Sequence, residues 1–160
     1  MTELDKNEAV ARSILGVELD PAECAALAGK MGMQPIRKGE LVVREGDNRR
    51  TLFVLADGQL SVCKADGDHE ACLYQLRMGE CAGTRAFLDG SERKAMLRAE
   101  TDGALLTLEP DDFESLIETQ PRVVYKVMRA LFRVTHANLM RMNLESAELR
   151  NYMMKTGGRY

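Results

Sequence analysis

Apolar positions change spacing twice along this chain, and the changes divide it into three segments. Up to residue 32 the spacing is helical. Residues 1–15 predict a weakly amphipathic helix whose apolar contacts are Ala9, Ile14 and Leu15 and which Gly16 ends. Asp20 reads as an N-cap, with Pro21 in the first helical position and Glu23 adding first-turn negative charge. A second helix is therefore expected over 21–30, with Cys24, Leu27, Ala28 and Met31 on one side and Gly32 as its stop. From Met33 the pattern becomes short runs of β-formers at 33–37, 41–44, 51–56, 59–64, 69–76, 94–101 and 104–109. Glu45-Gly46-Asp47-Asn48, Asp57-Gly58, Ala65-Asp66-Gly67-Asp68 and Asp102-Gly103 mark the turns between them. No stretch long enough for a parallel crossover interrupts these runs, so a small antiparallel sandwich or barrel is expected.

Helical spacing returns at residues 110–118, where Asp111 and Asp112 lie near the N-terminus and Phe113, Leu116 and Ile117 are expected to be buried. Thr119-Gln120 separates this helix from a longer one that opens on Pro121 and meets no Gly or Pro before Met154. At about 1.5 Å per residue it spans on the order of 50 Å. Its apolar positions are Val124, Val127, Leu131, Val134, Leu139, Met142 and Leu149, spaced by three and four up to Val134 and less regularly afterwards. A helix that outruns its domain must bury its stripe somewhere. Either all of it packs on its own sandwich, or its first half does and residues 131–149 pair with a second copy; homodimerisation is the expectation. The domains then read as N-terminal helices at 1–32, a β-roll at 33–109, C-terminal helices at 110–154 and a frayed tail at 155–160.

Composition narrows the function classes. A chain of 160 residues can bury one core without metal or disulfide support. With 22 basic and 25 acidic residues the net charge is −3, which offers no general case for nucleic-acid binding. No apolar run approaches the roughly 18 residues of a membrane span, and the acidic N-terminus is unlike a signal peptide, so a cytoplasmic location is expected. Cys24, Cys63, Cys72 and Cys81 form no Cys-x-x-Cys pair, and His69 and His136 are too few and too scattered for a zinc site. Buried, reduced thiols are expected, although Cys63 and Cys72 face one another if the hairpin register allows. The same scarcity of histidine, with no nucleophile-elbow sequence, argues against an enzyme.

Candidate chemistry concentrates in residues 79–99. The stretch reads as a loop, one helical turn over 84–88, a second loop at Asp89-Gly90-Ser91 and a strand entered through Arg93. Ala82, Gly83 and Ala86 are small enough for a ligand to approach the backbone. A helix N-terminus after Gly83 would present free N–H groups to an anion, with Arg85, Arg93 and Lys94 adding positive charge. An anion site and an ordinary loop-helix-loop connection both remain open on these residues alone.

The wider pattern resembles the cyclic nucleotide-binding domain. Lys38-Gly39-Glu40-Leu41-Val42 and Arg44-Glu45-Gly46-Asp47 look like that family's first strands and turn, and Phe53-Val54-Leu55 before Asp57-Gly58 like its next hairpin. Gly79, then Gly83 with Ala86-Phe87-Leu88, then Arg93 and Ala95, look like its phosphate-binding cassette. The resemblance implies an antiparallel eight-stranded β-roll, or jelly roll, flanked by helices. It also implies that amides near Ala86 and the Arg93 side chain hold a cyclic phosphate. The family's glutamate, which accepts from the ribose 2′-hydroxyl, is replaced here by Thr84. Glu92 stands where the family usually has proline, and Lys94 where a small hydroxyl residue often follows the arginine. Glu92 is positioned to pair with Arg93 in the empty state. Asn138 lies where the dimer helix often carries a polar residue near the purine, or else it is a seam residue that fixes helix pairing.

These residues predict a stand-alone, non-enzymatic regulatory module with an altered cassette at Gly83, Thr84, Arg85, Ala86, Arg93, Lys94 and Ala95, and with Asn138 on the helix. It would bind cAMP or cGMP weakly, or another small phosphate-containing anion, require no cofactor or metal, and signal through a homodimer or a protein partner. The rival expectation is a dimeric interaction scaffold with a vestigial pocket. Too few residues follow the long helix for a helix-turn-helix, so direct DNA recognition is not expected.

Overall fold

The computed structural model describes residues 5–157. Helix α1 (Lys6–Arg12) is capped by the Asp5 carboxylate, which accepts from Asn7 N–H at 2.9 Å. It stops before the expected boundary because Ser13 turns out of helical conformation, its hydroxyl donating to Val10 O and accepting from Leu15 N–H. A single 3-10 turn at Ile14–Gly16 follows. Residues 1–4 of the expected helix lie outside the described residues. Helix α2 (Pro21–Ala28) starts as expected, with a reciprocal capping box between Asp20 and Glu23 and Pro21 in the first turn.

Eight strands follow: β1 (Gly32–Ile36), β2 (Leu41–Val43), β3 (Leu52–Asp57), β4 (Leu60–Asp66), β5 (His69–Leu76), β6 (Cys81–Ala82), β7 (Met96–Ala99) and β8 (Gly103–Leu108). They form two antiparallel four-stranded sheets in the orders β1-β8-β3-β6 and β2-β7-β4-β5. This is a jelly roll. Strand β3 explains why residues 51–56 alternate so weakly. Phe53 and Leu55 point between the sheets toward Ile36, Leu60, Leu97 and Leu105, while Leu52 and Val54 pack beneath the helices with Leu27, Leu106, Phe113 and Val127. Both faces are covered, so both must be apolar.

The β4–β5 hairpin corrects the cysteine expectation. Cys63 lies directly opposite Cys72, and the two are joined by a disulfide. Cys63 is buried, but Cys72 stands on an exposed strand in which only Leu76 is buried. Strand β7 reaches β4 only from Leu60 to Cys63, so the hairpin beyond runs uncovered. A bulge between Val62 and Cys63 sets the pairing.

The C-terminal segment holds α4 (Pro110–Glu114), α5 (Leu116–Thr119) and α6 (Pro121–Gly157). The single helix expected over 110–118 breaks at Ser115. Phe113 and Leu116 take the inward positions and Ile117, expected in the core, faces solvent. Helix α6 runs about 55 Å at ~1.5 Å per residue. Val123, Val127, Ala130 and Leu131 bury its first half, and Lys126 with Glu23 and Arg129 with Glu18 tie that half to the N-terminal segment. Beyond Val134 every described side chain is exposed, Leu139, Met142 and Leu149 among them. Helix continues to Gly157, three residues into the expected tail, and residues 158–160 lie outside the described residues. Among the described residues no helix is long and apolar enough to cross a membrane.

Candidate anion site

The cassette is built by backbone first. Gly79 and Gly83, at φ 89° and 87°, bracket the two-residue strand β6 and swing the chain into α3 (Thr84–Asp89). The first intrahelical bond runs from Phe87 N–H to Gly83 O at 3.0 Å, so the amides of Thr84, Arg85 and Ala86 precede it. Phe87 anchors the helix against Phe113, with ring centroids 5.5 Å apart, and Ala86 is buried beside it. The other end is held by Arg50, whose Nε donates to Ala86 O at 3.3 Å and whose Nη2 donates to Phe87 O at 3.1 Å.

Arg93 is the centre of the site. It sits before β7 rather than at its start, fixed by Arg93 N–H to Asp47 O (3.0 Å) and Gly46 N–H to Arg93 O (2.8 Å). Its side chain is 6% exposed, a depth charged residues reach only when satisfied. Nε donates to Arg49 O at 2.9 Å and Nη2 to Thr51 O at 2.5 Å, while the guanidinium lies 5.6 Å from the Phe53 ring centroid. Nη1 makes neither bond and rests against Gly83, where an added Cβ would stand 1.9 Å from it. Among the described residues no buried side-chain nitrogen or oxygen lacks a partner, so Nη1 keeps contact with solvent. Burial pushes the Arg93 pKa down and Asp47 and Glu109 push it back up, with Arg49 lowering it further. Arginine deprotonates so far above neutrality that the group remains a cation.

The sequence-predicted residues separate by position. Gly83, Thr84, Ala86 and Arg93 come together. Ala95 is half-buried against the core between the sheets, and Arg85 and Lys94 are exposed around the rim, Arg85 lying 3.9 Å from Asp89. Arg93 points inward and Lys94 outward, although both precede β7. The Thr84 hydroxyl lies 3.7 Å from Cys81 Sγ, and burial pushes that thiol's pKa up. Asn138 is exposed on the half of α6 that leaves the domain. The expected Glu92–Arg93 ion pair is corrected: Glu92 is exposed, and the carboxylates that act on Arg93 are Asp47 and Glu109. Neighbours in sequence point to opposite sides here, and the loop before β3 brings the acceptors instead.

Sequence reasoning missed that loop. Arg49, Arg50 and Thr51 hold the cassette from outside it: Arg50 caps α3, and the carbonyls of Arg49 and Thr51 receive Arg93. Thr51 Oγ1 donates to Glu109 Oε1 at 2.6 Å and accepts from Arg49 Nε at 3.0 Å. The Arg49-Arg50 doublet was visible as charge, but nothing local aims it at a helix more than thirty residues away.

The model of the cyclic nucleotide-binding domain matches residues 33–120. The chain belongs to the cyclic nucleotide-binding domain family. It is 30% identical over 140 residues to potassium/sodium hyperpolarization-activated cyclic nucleotide-gated channel 3 of Homo sapiens, a match covering 88% of this chain and 17% of that protein. A solved cyclic nucleotide-binding domain from Methylobacillus flagellatus superposes with a TM-score of 0.78 at 19% identity, covering 84% of this chain and 79% of that one, and shares the fold. Thermus thermophilus catabolite activator protein superposes at 0.72 with 27% identity, covering 84% and 63%. The chain spans about a third or less of the length of the curated relatives it matches.

Proposed function

We propose that this cyclic nucleotide-binding domain is a non-enzymatic regulatory module that senses a small phosphate-bearing anion at Gly83, the α3 amides and Arg93, and signals through a dimer formed on α6. One observation carries the reading. Arg93 is buried as a cation among carbonyls with no carboxylate bonded to it, and its one unspent nitrogen reaches solvent beside Gly83. A charge-assisted bond to a phosphate oxygen is what such a donor lacks. The channel relative is by its name cyclic nucleotide-gated, which supports a cyclic nucleotide as one ligand. The loss of the ribose acceptor at Thr84 weakens that ligand, by roughly tenfold to a hundredfold for a bond to a charged acceptor worth about 1.5–3 kcal/mol.

Melting in the presence of millimolar cAMP or cGMP tests the reading. Ligand at about five times its Kd adds roughly 1 kcal/mol, a rise of about 2–4 °C for a domain of this size. Arg93→Gln is expected to remove the rise. A rise that survives in Arg93→Gln contradicts the proposed site, and the absence of any rise with these ligands and with inorganic phosphate favours the scaffold reading.

The dimer rests on the exposed stripe of α6. Leu139, Met142 and Leu149 are each more than half exposed, with Met140 and Leu144 beside them. A second copy offers the matching stripe. Sedimentation at tens of micromolar is expected to give a dimer, and Leu139→Glu with Met142→Glu a monomer of unchanged helicity. A wild-type monomer at that concentration would contradict it.

A further inference from the structure

Two guanidinium groups converge on one buried ring. The Cζ atoms of Arg49 and Arg93 stand 5.2 Å and 5.6 Å from the Phe53 centroid. Like charges within electrostatic reach repel, and the Arg49 charge lowers the Arg93 pKa. Yet among the described residues neither forms an ion pair. Two carboxylates, Asp47 and Glu109, lie within electrostatic reach of Arg93, but neither is bonded to a guanidinium. Asp47 Oδ1 accepts from Arg49 N–H at 3.1 Å, and Glu109 Oε1 accepts from Thr51. Arg49 spends only Nε, on the Thr51 hydroxyl, and Arg93 spends Nε and Nη2 on main-chain oxygens. The terminal nitrogens of Arg49 and Nη1 of Arg93 are left over.

An anion with two negative charges would relieve such a pair more than an anion with one. A cyclic phosphodiester carries one; a phosphomonoester approaches two above its second pKa of about 6. The neutral Thr84 points the same way. A glutamate there would repel a second negative charge and favour a ribose hydroxyl, and it is absent. Resting on the reading of the cassette as a phosphate site, we infer that Arg49 is a second phosphate-binding residue and that the ligand is a phosphate dianion, as a phosphomonoester or as inorganic phosphate, in preference to a cyclic nucleotide.

Calorimetric titration of the full chain with adenosine 5′-monophosphate, inorganic phosphate and cAMP, at fixed ionic strength and at pH 7.5 and 5.5, tests this. At pH 7.5 the monophosphate is expected to bind at least about tenfold tighter than cAMP. Its affinity is expected to fall several-fold at pH 5.5, where the dianion is protonated, while cAMP is unchanged. Arg49→Gln should weaken the monophosphate about tenfold and leave cAMP within about twofold, and Arg49→Lys, which keeps the charge, should retain most of the affinity. Arg93→Gln should weaken both. Inorganic phosphate binding as well as the monophosphate assigns the site to free phosphate; weaker binding assigns it to the ester; either supports the inference. Circular dichroism melts of each variant separate lost binding from lost folding. Equal or tighter binding of cAMP, or an Arg49→Gln variant with unchanged monophosphate affinity, overturns the inference and leaves the phosphate site standing. Binding of none of the three, or binding indifferent to Arg93→Gln, overturns both.

Discussion

Replacing Gly83 with alanine should destabilise the domain by about 2–5 kcal/mol and abolish anion binding. Two effects add. At φ 87° an L side chain costs about 1–2 kcal/mol in the left-handed region. The new Cβ would also stand 1.9 Å from Arg93 Nη1 and 3.2 Å from Thr51 O, so the guanidinium must move off the two carbonyls it satisfies. Leaving buried polar groups unpaired costs a further ~1–3 kcal/mol. Gly39 supplies the internal control, since its φ is 86° but an added Cβ there meets nothing within 4 Å. Urea denaturation of both variants isolates the packing part. A Gly83→Ala loss no larger than that of Gly39→Ala would show that Arg93 is not seated on Gly83.

The second large effect is a gain. Thr84 is the first residue of α3 and is half-buried beside Cys81. A glutamate at that place lies in the helix's first turn, where negative charge is favoured, and it restores the charged acceptor that the family resemblance associates with the ribose hydroxyl. Thr84→Glu should therefore tighten cAMP by roughly tenfold to a hundredfold, the equivalent of about 1.5–3 kcal/mol. The same substitution should weaken a phosphomonoester, because the new carboxylate repels its second charge. Opposite signs for two ligands at one position are difficult to obtain from a general change in stability.

Much of the fold was legible because its signals are local. The Asp20-Pro21-Glu23 start of α2, the turns at Asp57-Gly58 and Gly67, the 69–76 strand and the Gly83 entry to α3 each depend on a few adjacent residues whose conformational preferences are strong. The misses share a different cause. Whether Cys63 meets Cys72 depends on a bulge at Val62/Cys63, which composition does not reveal. Ile117 turned outward because a break at Ser115 left Leu116 to take the inward position. In the site, Gly83 and Arg93 could be named from the residues and Thr84 from the family resemblance, but the destination of the Arg93 side chain could not. Its acceptors at Arg49 and Thr51 come from a loop more than forty residues earlier, and the neighbouring Glu92, adjacent in the chain, faces away. Short-range pattern places a cationic group; the partners of a buried one are set by tertiary contacts.

On the proposed reading, Gly83 and Arg93 keep the phosphate end of the site while its ribose end at Thr84 has changed. Calorimetric titration of cAMP into the full chain and into Thr84→Glu, side by side at one ionic strength, tests it most directly. The expected result is a Kd weaker than micromolar for the natural chain and at least about a tenfold tightening in the variant. Micromolar or tighter binding by the natural chain, or a variant that binds no better, would contradict it.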